Sequence, residues 1–284
     1  MHMESESWYI NNENLAAHLD EDHHMPIDIA TFNPSQTDNF AIEMWFRGSE
    51  EDNAQQATLF SVTNGLKVGY DKGKIKLQVV NQQVNPDKTV TTTVKEDYVL
   101  SEKSYLDNNW HHFALNVRRG TSAVAYIDGE AVKVLPENII PGLSDNYLQI
   151  GGWENAESHQ IGQVFKGDVD EVRIWGAALD GKLVKDRMYE RMDDGYPGLV
   201  GYFPMEEISR TPQGNVTTKF SLKNYGEKDS RLNITTELIE SNNAPALKPG
   251  SSKMRLDDSQ FEFTAAGDEI YFSFPDAALP LMDN

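Results

Sequence analysis

Cysteine is absent from the 284 residues, which excludes disulfides, thiolate metal sites and a cysteine nucleophile. Basic residues are scarce: 25 Lys and Arg stand against 45 Asp and Glu, a formal net charge of −20. Such a surface repels nucleic-acid phosphates and anionic lipid, so nucleic acid is not an expected partner. It suits an exported protein kept soluble by its charge, and it tolerates divalent cations. No apolar run reaches the about 18 residues of a membrane helix, so no membrane-spanning segment is expected, and no basic-then-apolar signal segment opens the chain. Met1-His2-Met3 reads as an expression remnant. The expectation is a longer parent chain with an export signal and neighbouring domains, placed outside the cell or at its surface. Gly-rich phosphate loops, His-Glu-x-x-His helices and Ser-His-Asp phrases are missing as well.

What is present is two-residue periodicity. In Phe40 to Arg47, Phe40, Ile42, Met44 and Phe46 fall on one face with Trp45 opposite, the pattern of a half-buried strand. Similar runs span 57–62, 66–70 and 75–79, joined by Thr63-Asn64-Gly65 and Asp71-Lys72-Gly73-Lys74. Residues 81–96, with Val90, Thr92 and Val94 alternating, read as a projecting hairpin arm. Phe113, Leu115 and Val117 line the next strand, and 123–127 reaches Asp128-Gly129, the strongest short hairpin signal in the chain. Residues 148–150 end at Gly151-Gly152 and open a polar loop. Phe165 to Trp175 is read as a central strand, with Asp168, Asp170, Val172 and Ile174 on one side and Val169, Glu171, Arg173 and Trp175 on the other. A helix is expected after Asp180, its cap, because Val184, Met188 and Met192 recur at helical spacing; Gly195 and Pro197 stop it. Residues 198–205 read as a last firm strand. The segment 4–37 is read as an edge strand with loops, Trp8-Tyr9-Ile10 and Ile27-Asp28-Ile29 being its apolar pieces. Strand-like pieces follow at 219–222 and 232–238, and 261–264 with 270–274 make a closing hairpin. The expected domains are a sandwich over 4–255 with its core at 40–206, and a 256–284 tail that is either a hairpin or the start of a further β domain.

Six phrases now stand in order: Phe40 to Phe46; Trp110-His111-His112-Phe113-Ala114-Leu115; Tyr126-Ile127-Asp128-Gly129-Glu130; Leu148 to Gly152; Gly167 to Trp175 with Ala178-Leu179; and Leu199-Val200-Gly201-Tyr202-Phe203-Pro204. Together they resemble the laminin G-like, concanavalin A-like jelly-roll domains, in the version of large bacterial surface proteins and pentraxin-like modules. The resemblance implies an all-β fold of two antiparallel sheets wound as a jelly roll, with one short helix and the β-hairpin tail. It also implies binding of glycans or surface proteins at the rim or concave face, and in many members a structural calcium ion.

For that calcium the resemblance assigns Asp170 as the side-chain ligand, with further oxygens from the loop 20–28; a hard cation needs six to eight of them. The alternative is that Asp170 caps backbone amides. For sugar, the loop supplies Trp153 as a stacking face and Asn155, His159 and Gln160 as hydrogen-bonding groups. The alternative is a tryptophan folded down over the sandwich edge. His111 and His112, adjacent on one strand, point to opposite faces and cannot share an ion, and His23-His24 offers at most a weak cation loop. The same fold hosts glucanases, which need two carboxylates flanking the scissile bond. Their Glu-x-Asp-x-x-Glu phrase is not matched by Asp168-Val169-Asp170-Glu171-Val172-Arg173, and Asp170 and Glu171 are read on opposite faces. The expected function is therefore a non-catalytic carbohydrate-binding or adhesion module of an exported bacterial surface protein. A structural or protein-interaction spacer is the alternative, with a divergent glycoside hydrolase behind both.

Overall fold

The computed structural model describes residues 15–29, 38–53, 55–143, 147–192 and 196–205, with 32, 34, 241, 244 and 245, and the backbone alone of five further strands. Trp8-Tyr9-Ile10 and Gly195 lie outside these residues. Strands run in chain order as β1 (Ala16–Leu19), β2 (Met25–Asp28), β3 (Phe40–Gly48), β4 (Gln56–Ser61), β5 (Leu66–Asp71), β6 (Lys74–Val84), β7 (Val90–Ser101), β8 (His111–Arg118), β9 (Ser122–Ile127), β10 (Glu130–Leu135) and β11 (Tyr147–Ile150). A short pair, β12 (Trp153–Glu154) and β13 (Ile161–Gly162), precedes β14 (Gly167–Trp175), helix α1 (Gly181–Arg187), β15 (Leu199–Phe203), β16 (Thr218–Leu222) and β17 (Ile234–Ser241). The last strands are β18 (Lys253–Leu256), β19 (Ser259–Ala266) and β20 (Glu269–Ser273), which pair into a small sheet of their own.

Two antiparallel sheets form a jelly-roll sandwich. One has the order β10-β9-β8-β3-β14-β1-β17-β16, with β15 beside the second half of β14; the other runs β2-β11-β4-β5-β6-β7. The core between them is built from the inward halves of the alternating strands: Phe40, Ile42, Met44 and Phe46 of β3, Phe113, Leu115 and Val117 of β8, and Val68, Ile75, Leu77, Leu148 and Ile150 opposite. All are 7 % exposed or less, so each of these strands contributes the apolar area that offsets the cost of ordering it. The chain's first described strand, β1, is not at an edge, because β17 returns to pair along its free side.

β14 is central, as expected, but its faces differ from strict alternation. It pairs Asp170 with Trp45 and Arg173 with Glu43, so that two residues, Glu171 and Val172, stand opposite Met44 alone. Glu171 has φ +50°, which marks a β-bulge. The bulge returns Val172 and Ile174 to the core beside Val169 and sends Asp170, Glu171, Arg173 and Trp175 together to the outer face. Asp170 and Glu171 thus share a face, correcting the opposite-face reading.

That outer face is covered by α1 and residues 188–192. Under the cover, the Arg173 guanidinium bonds Glu171 at 2.6 Å and donates to the carbonyls of Arg187 and Glu190. Trp45 Nε1 donates to the Met188 carbonyl, Trp175 Nε1 to Glu43, and the Tyr202 hydroxyl to Glu171. From the helix end onward the carbonyls of Arg187, Met188 and Glu190 are taken by Arg173 and Trp45 of the sheet, which satisfies them without the further helical turns that the spacing to Met192 predicts. Asp180 is the N-cap, accepting from the Lys182 N–H at 2.8 Å.

Candidate functional site

The four residues expected to meet sugar do lie together, on the β12–β13 hairpin. Trp153 pairs with Gly162 across it, and Gln82 of β6 docks it by bonding the Glu154 carbonyl and the Ala156 N–H. Their polar atoms are largely consumed within the hairpin. Asn155 Oδ1 accepts from the Glu157 and Ser158 amides, and His159 Nδ1 meets Glu154 at 2.5 Å. The Trp153 ring has the Lys67 ammonium 4.6 Å above its centroid, and its Nε1 is buried. One indole face is therefore occupied by a cation. Gln160 is exposed just before β13.

Asp170 is wholly buried, and its Oδ1 accepts from the Glu171 N–H at 2.7 Å, holding the bulge. β1 leaves the sheet with Leu19 opposite Gly167, so the 20–28 loop begins three residues along the strand from Asp170, about 10 Å away. Within that loop, Asp20 is spent on the His23 ring and on the amides of Asp22 and His23. Among the described residues no three His, Asp or Glu side chains converge as a metal site would require. Among the described residues no set of side chains for a calcium shell gathers at Asp170.

An open cleft lies instead at the end of the sandwich where the β3–β4, β5–β6, β7–β8 and β9–β10 connections gather. Its volume is about 690 Å³, within the range of small-molecule sites. Tyr105, Asp107, His111, Asp128 and Ser104 line it, with Glu50 and Lys103 at its margins. His111 forms the floor. Its Nδ1 lies 2.8 Å from Asp128 Oδ2 and its Nε2 lies 3.1 Å from Asp107 Oδ1, while Tyr105 meets the ring edge-on at 4.9 Å. Asp128-Gly129 is the two-residue hairpin turn, both with positive φ (+52° and +75°), as a type I′ turn demands. Asp128 is also fixed through Oδ1 by the His112 N–H. Tyr105 itself has φ +55°, an uncommon backbone for a bulky residue and one that clusters at functional sites. Burial alone would lower the His111 pKa, but the hydrogen bonds and charges of Asp128 and Asp107 outweigh it and raise the value above the ordinary 6.5.

The His111 ring fills the space between Asp107 and Asp128, where an inverting glycosidase would need its water and scissile bond. The carboxylates of the bulge are sealed under α1, Asp170 at 0 % and Glu171 at 1 % exposure. Sequence reasoning passed over the cleft because its walls come from four separate connections. The available signals were the Asp-Gly turn and Asp107 four residues before His111.

The family model Laminin_G_3, described as the concanavalin A-like lectin/glucanases superfamily, matches residues 20–185, more than half of the chain. A structure from Bacteroides ovatus ATCC 8483, titled as a candidate carbohydrate-binding protein, is similar with a TM-score of 0.57 and 17 % identity, covering 80 % of this chain and 59 % of its own. The chain thus spans about three fifths of that protein's length. Domain 4 of AbnA, a GH43 extracellular arabinanase from Geobacillus stearothermophilus, solved with arabinotriose, matches at a TM-score of 0.36 and 17 % identity over 52 % of this chain and 66 % of its own. No curated protein matches the sequence.

Proposed function

The chain belongs to the concanavalin A-like lectin/glucanase superfamily through its Laminin_G_3 domain, and from that premise we propose that it is a non-catalytic carbohydrate-binding module of an exported surface protein. The observation that carries the reading is the cleft over His111, in which an aromatic ring, a hydroxyl and carboxylates face solvent together. Those are the groups that bind a pyranose: apolar ring faces pack on an aromatic, and hydroxyls pair with planar acceptors. The Trp153 hairpin is a second surface of the same proposal, offering Gln160 and the remaining edge of the indole.

Screening on an array of neutral oligosaccharides, with and without calcium, tests this. Tyr105→Ala is expected to weaken the best hit at least about tenfold, as loss of an anchor residue does. Trp153→Ala is expected to change it by less than about threefold. The reverse order would move the site to the hairpin, and an array without hits would leave the module without a sugar. The latter outcome would favour protein interaction, the reading supported by β7, which pairs only with β6 among the described residues and bears Val94 at 47 % exposure on its arm.

Calcium enters the proposal only through the family resemblance, which assigns Asp170 as its ligand. Since that carboxylate holds the bulge, Asp170→Ala is expected to destabilise the fold by about 1.5–3 kcal/mol, the worth of a hydrogen bond to a charged group, equally in calcium and in chelator. Thermal melts check it: a calcium-dependent rise in the wild type that vanishes in Asp170→Ala would make the residue a metal ligand.

A further inference from the structure

We infer that His111 is a proton-operated latch on the cleft, tying the Tyr105–Asp107 wall to the Asp128 turn only while its ring carries two protons. Through its binding consequence this rests on the glycan reading of the cleft; the latch itself does not.

Both ring nitrogens of His111 face carboxylate oxygens, Nδ1 toward Asp128 and Nε2 toward Asp107. An ionised carboxylate only accepts, and a neutral imidazole has a single N–H. The two bonds therefore coexist only in the imidazolium. Asp107 stays ionised beside it, because the Asn109 N–H and the His111 ring hold its carboxyl below the usual range. When the ring loses a proton, one carboxylate is left facing a nitrogen lone pair.

Geometry selects which. Each carboxylate has a backbone anchor at 2.9 Å, Asp128 in the His112 N–H and Asp107 in the Asn109 N–H, but Asp128 has the shorter bond to the ring, 2.8 Å, and the less exposed side chain. Asp107 has the longer bond and a side chain 56 % exposed, so water can replace the ring there. The wall that is freed contains Tyr105 and Asn108, at φ +55° and +66°, conformations that cost energy and persist only while surrounding contacts enforce them. Backbone bonds from Glu50 to Leu106 and from Asn108 to Gly48 remain, so the change is a local displacement of Asp107 and Tyr105 rather than loss of the loop.

The other charged groups at the cleft are carboxylates and ammonium groups, none of them an imidazole. Glu102 pairs with Lys74 and Glu130 with Lys185 at its rim; Glu50 and Lys103 complete it. Phe46 of β3 and Tyr105 pack on the ring itself. His112 points through the other face of β8 toward Glu43. A proton equilibrium in the cleft between about pH 5 and pH 8 is thus that of His111. Its folded pKa lies above the ordinary 6.5, so the latch is fully closed below that value and opens as the pH rises through the folded pKa.

The test uses the full chain. Imidazole and backbone NMR resonances are followed from about pH 5 to about pH 9, which spans the histidine range, alongside affinity for the best neutral oligosaccharide of the array. His111 is expected to titrate above its free value with both nitrogens protonated at low pH, and the amides of Asp107 to Asn109 should shift with the same midpoint. Oligosaccharide affinity is expected to fall at least about fivefold across that midpoint, the lower end of a typical coupling between sites. In Asp107→Asn the side-chain amide can donate to the neutral ring, so the His111 midpoint should drop and the affinity should lose its pH dependence. In His111→Gln it should lose it too. A His111 midpoint at or below the free value, or 107–109 amides indifferent to it, overturns the latch. An intact latch with no oligosaccharide bound at any pH supports the latch and overturns the glycan reading.

Discussion

Arg173→Met is expected to cost about 3–5 kcal/mol of folding stability, because it strands buried charge. The guanidinium side chain is 1 % exposed and serves Glu171, the Arg187 and Glu190 carbonyls and the face of Tyr202. Burial pushes its pKa down, but Glu171 and Glu43 more than compensate, so it remains charged. Methionine fills similar volume and supplies no donor. Among the described residues Glu171 would keep only the Tyr202 hydroxyl, and Glu43, which burial pushes up but His112, Arg173 and Trp175 together hold below the ordinary carboxylate range, would lose the neighbouring guanidinium. Arg173→Lys should recover part of the loss, since one ammonium cannot reproduce a planar fork of donors. Adding Glu171→Gln to Arg173→Met should be less damaging than the sum of the singles, the mark of a coupled pair. Trp45 and Trp175 border the network, so denaturant titration followed by tryptophan emission reads it directly. A single Arg173→Met within about 1 kcal/mol of wild type would show that the charges are not mutually dependent.

This network also separates what was legible in the sequence from what was not. β3 and β8 were legible because their alternation is unbroken and one face of each is core, so Phe40 to Phe46 and Phe113 to Val117 declare themselves by period two alone. β14 was legible as a central strand but not in its faces. Nothing in Gly-Asp-Val-Asp-Glu-Val-Arg-Ile-Trp announces that Glu171 takes a left-handed backbone, and a single extra residue reverses the side of everything after it. The end of α1 was hidden for a related reason: its carbonyls are satisfied by Trp45 and Arg173, distant in sequence. The Trp153 loop was located as a polar connection, yet the way Asn155 and His159 are tied within it depends on hydrogen bonds that no spacing reveals. The cleft over His111 was the least legible, since residues 50, 73, 102–107, 111 and 127–132 meet only after the sheets have stacked.

Phe113→Ala is expected to cost a similar amount, about 3–5 kcal/mol, through a cavity rather than a stranded charge. The ring is fully buried on the inner face of β8 and lies 5.7 Å from the ring of Phe60, which belongs to β4 in the opposite sheet. The pair therefore spans the sandwich. Truncation removes the ring's apolar area from the core and leaves a void that rigid strands on either side cannot close, since each is fixed by ladder bonds to two neighbours. Phe113→Leu, which keeps most of the volume, should cost well under half as much. A double-mutant cycle with Phe60→Ala should return a coupling of about 0.5–1.5 kcal/mol, the ring–ring contribution beyond area burial. Additive losses would mean that the two rings only share a core. His111 sits two residues earlier on the same face of β8, so the cavity lies beneath the floor of the cleft. If the floor depends on this packing, Phe113→Ala should also lower the His111 midpoint toward its free value at temperatures where the variant is fully folded, while Phe113→Leu leaves it in place. An unchanged midpoint in Phe113→Ala would show that the latch is held by Asp107 and Asp128 alone, independent of the core behind it.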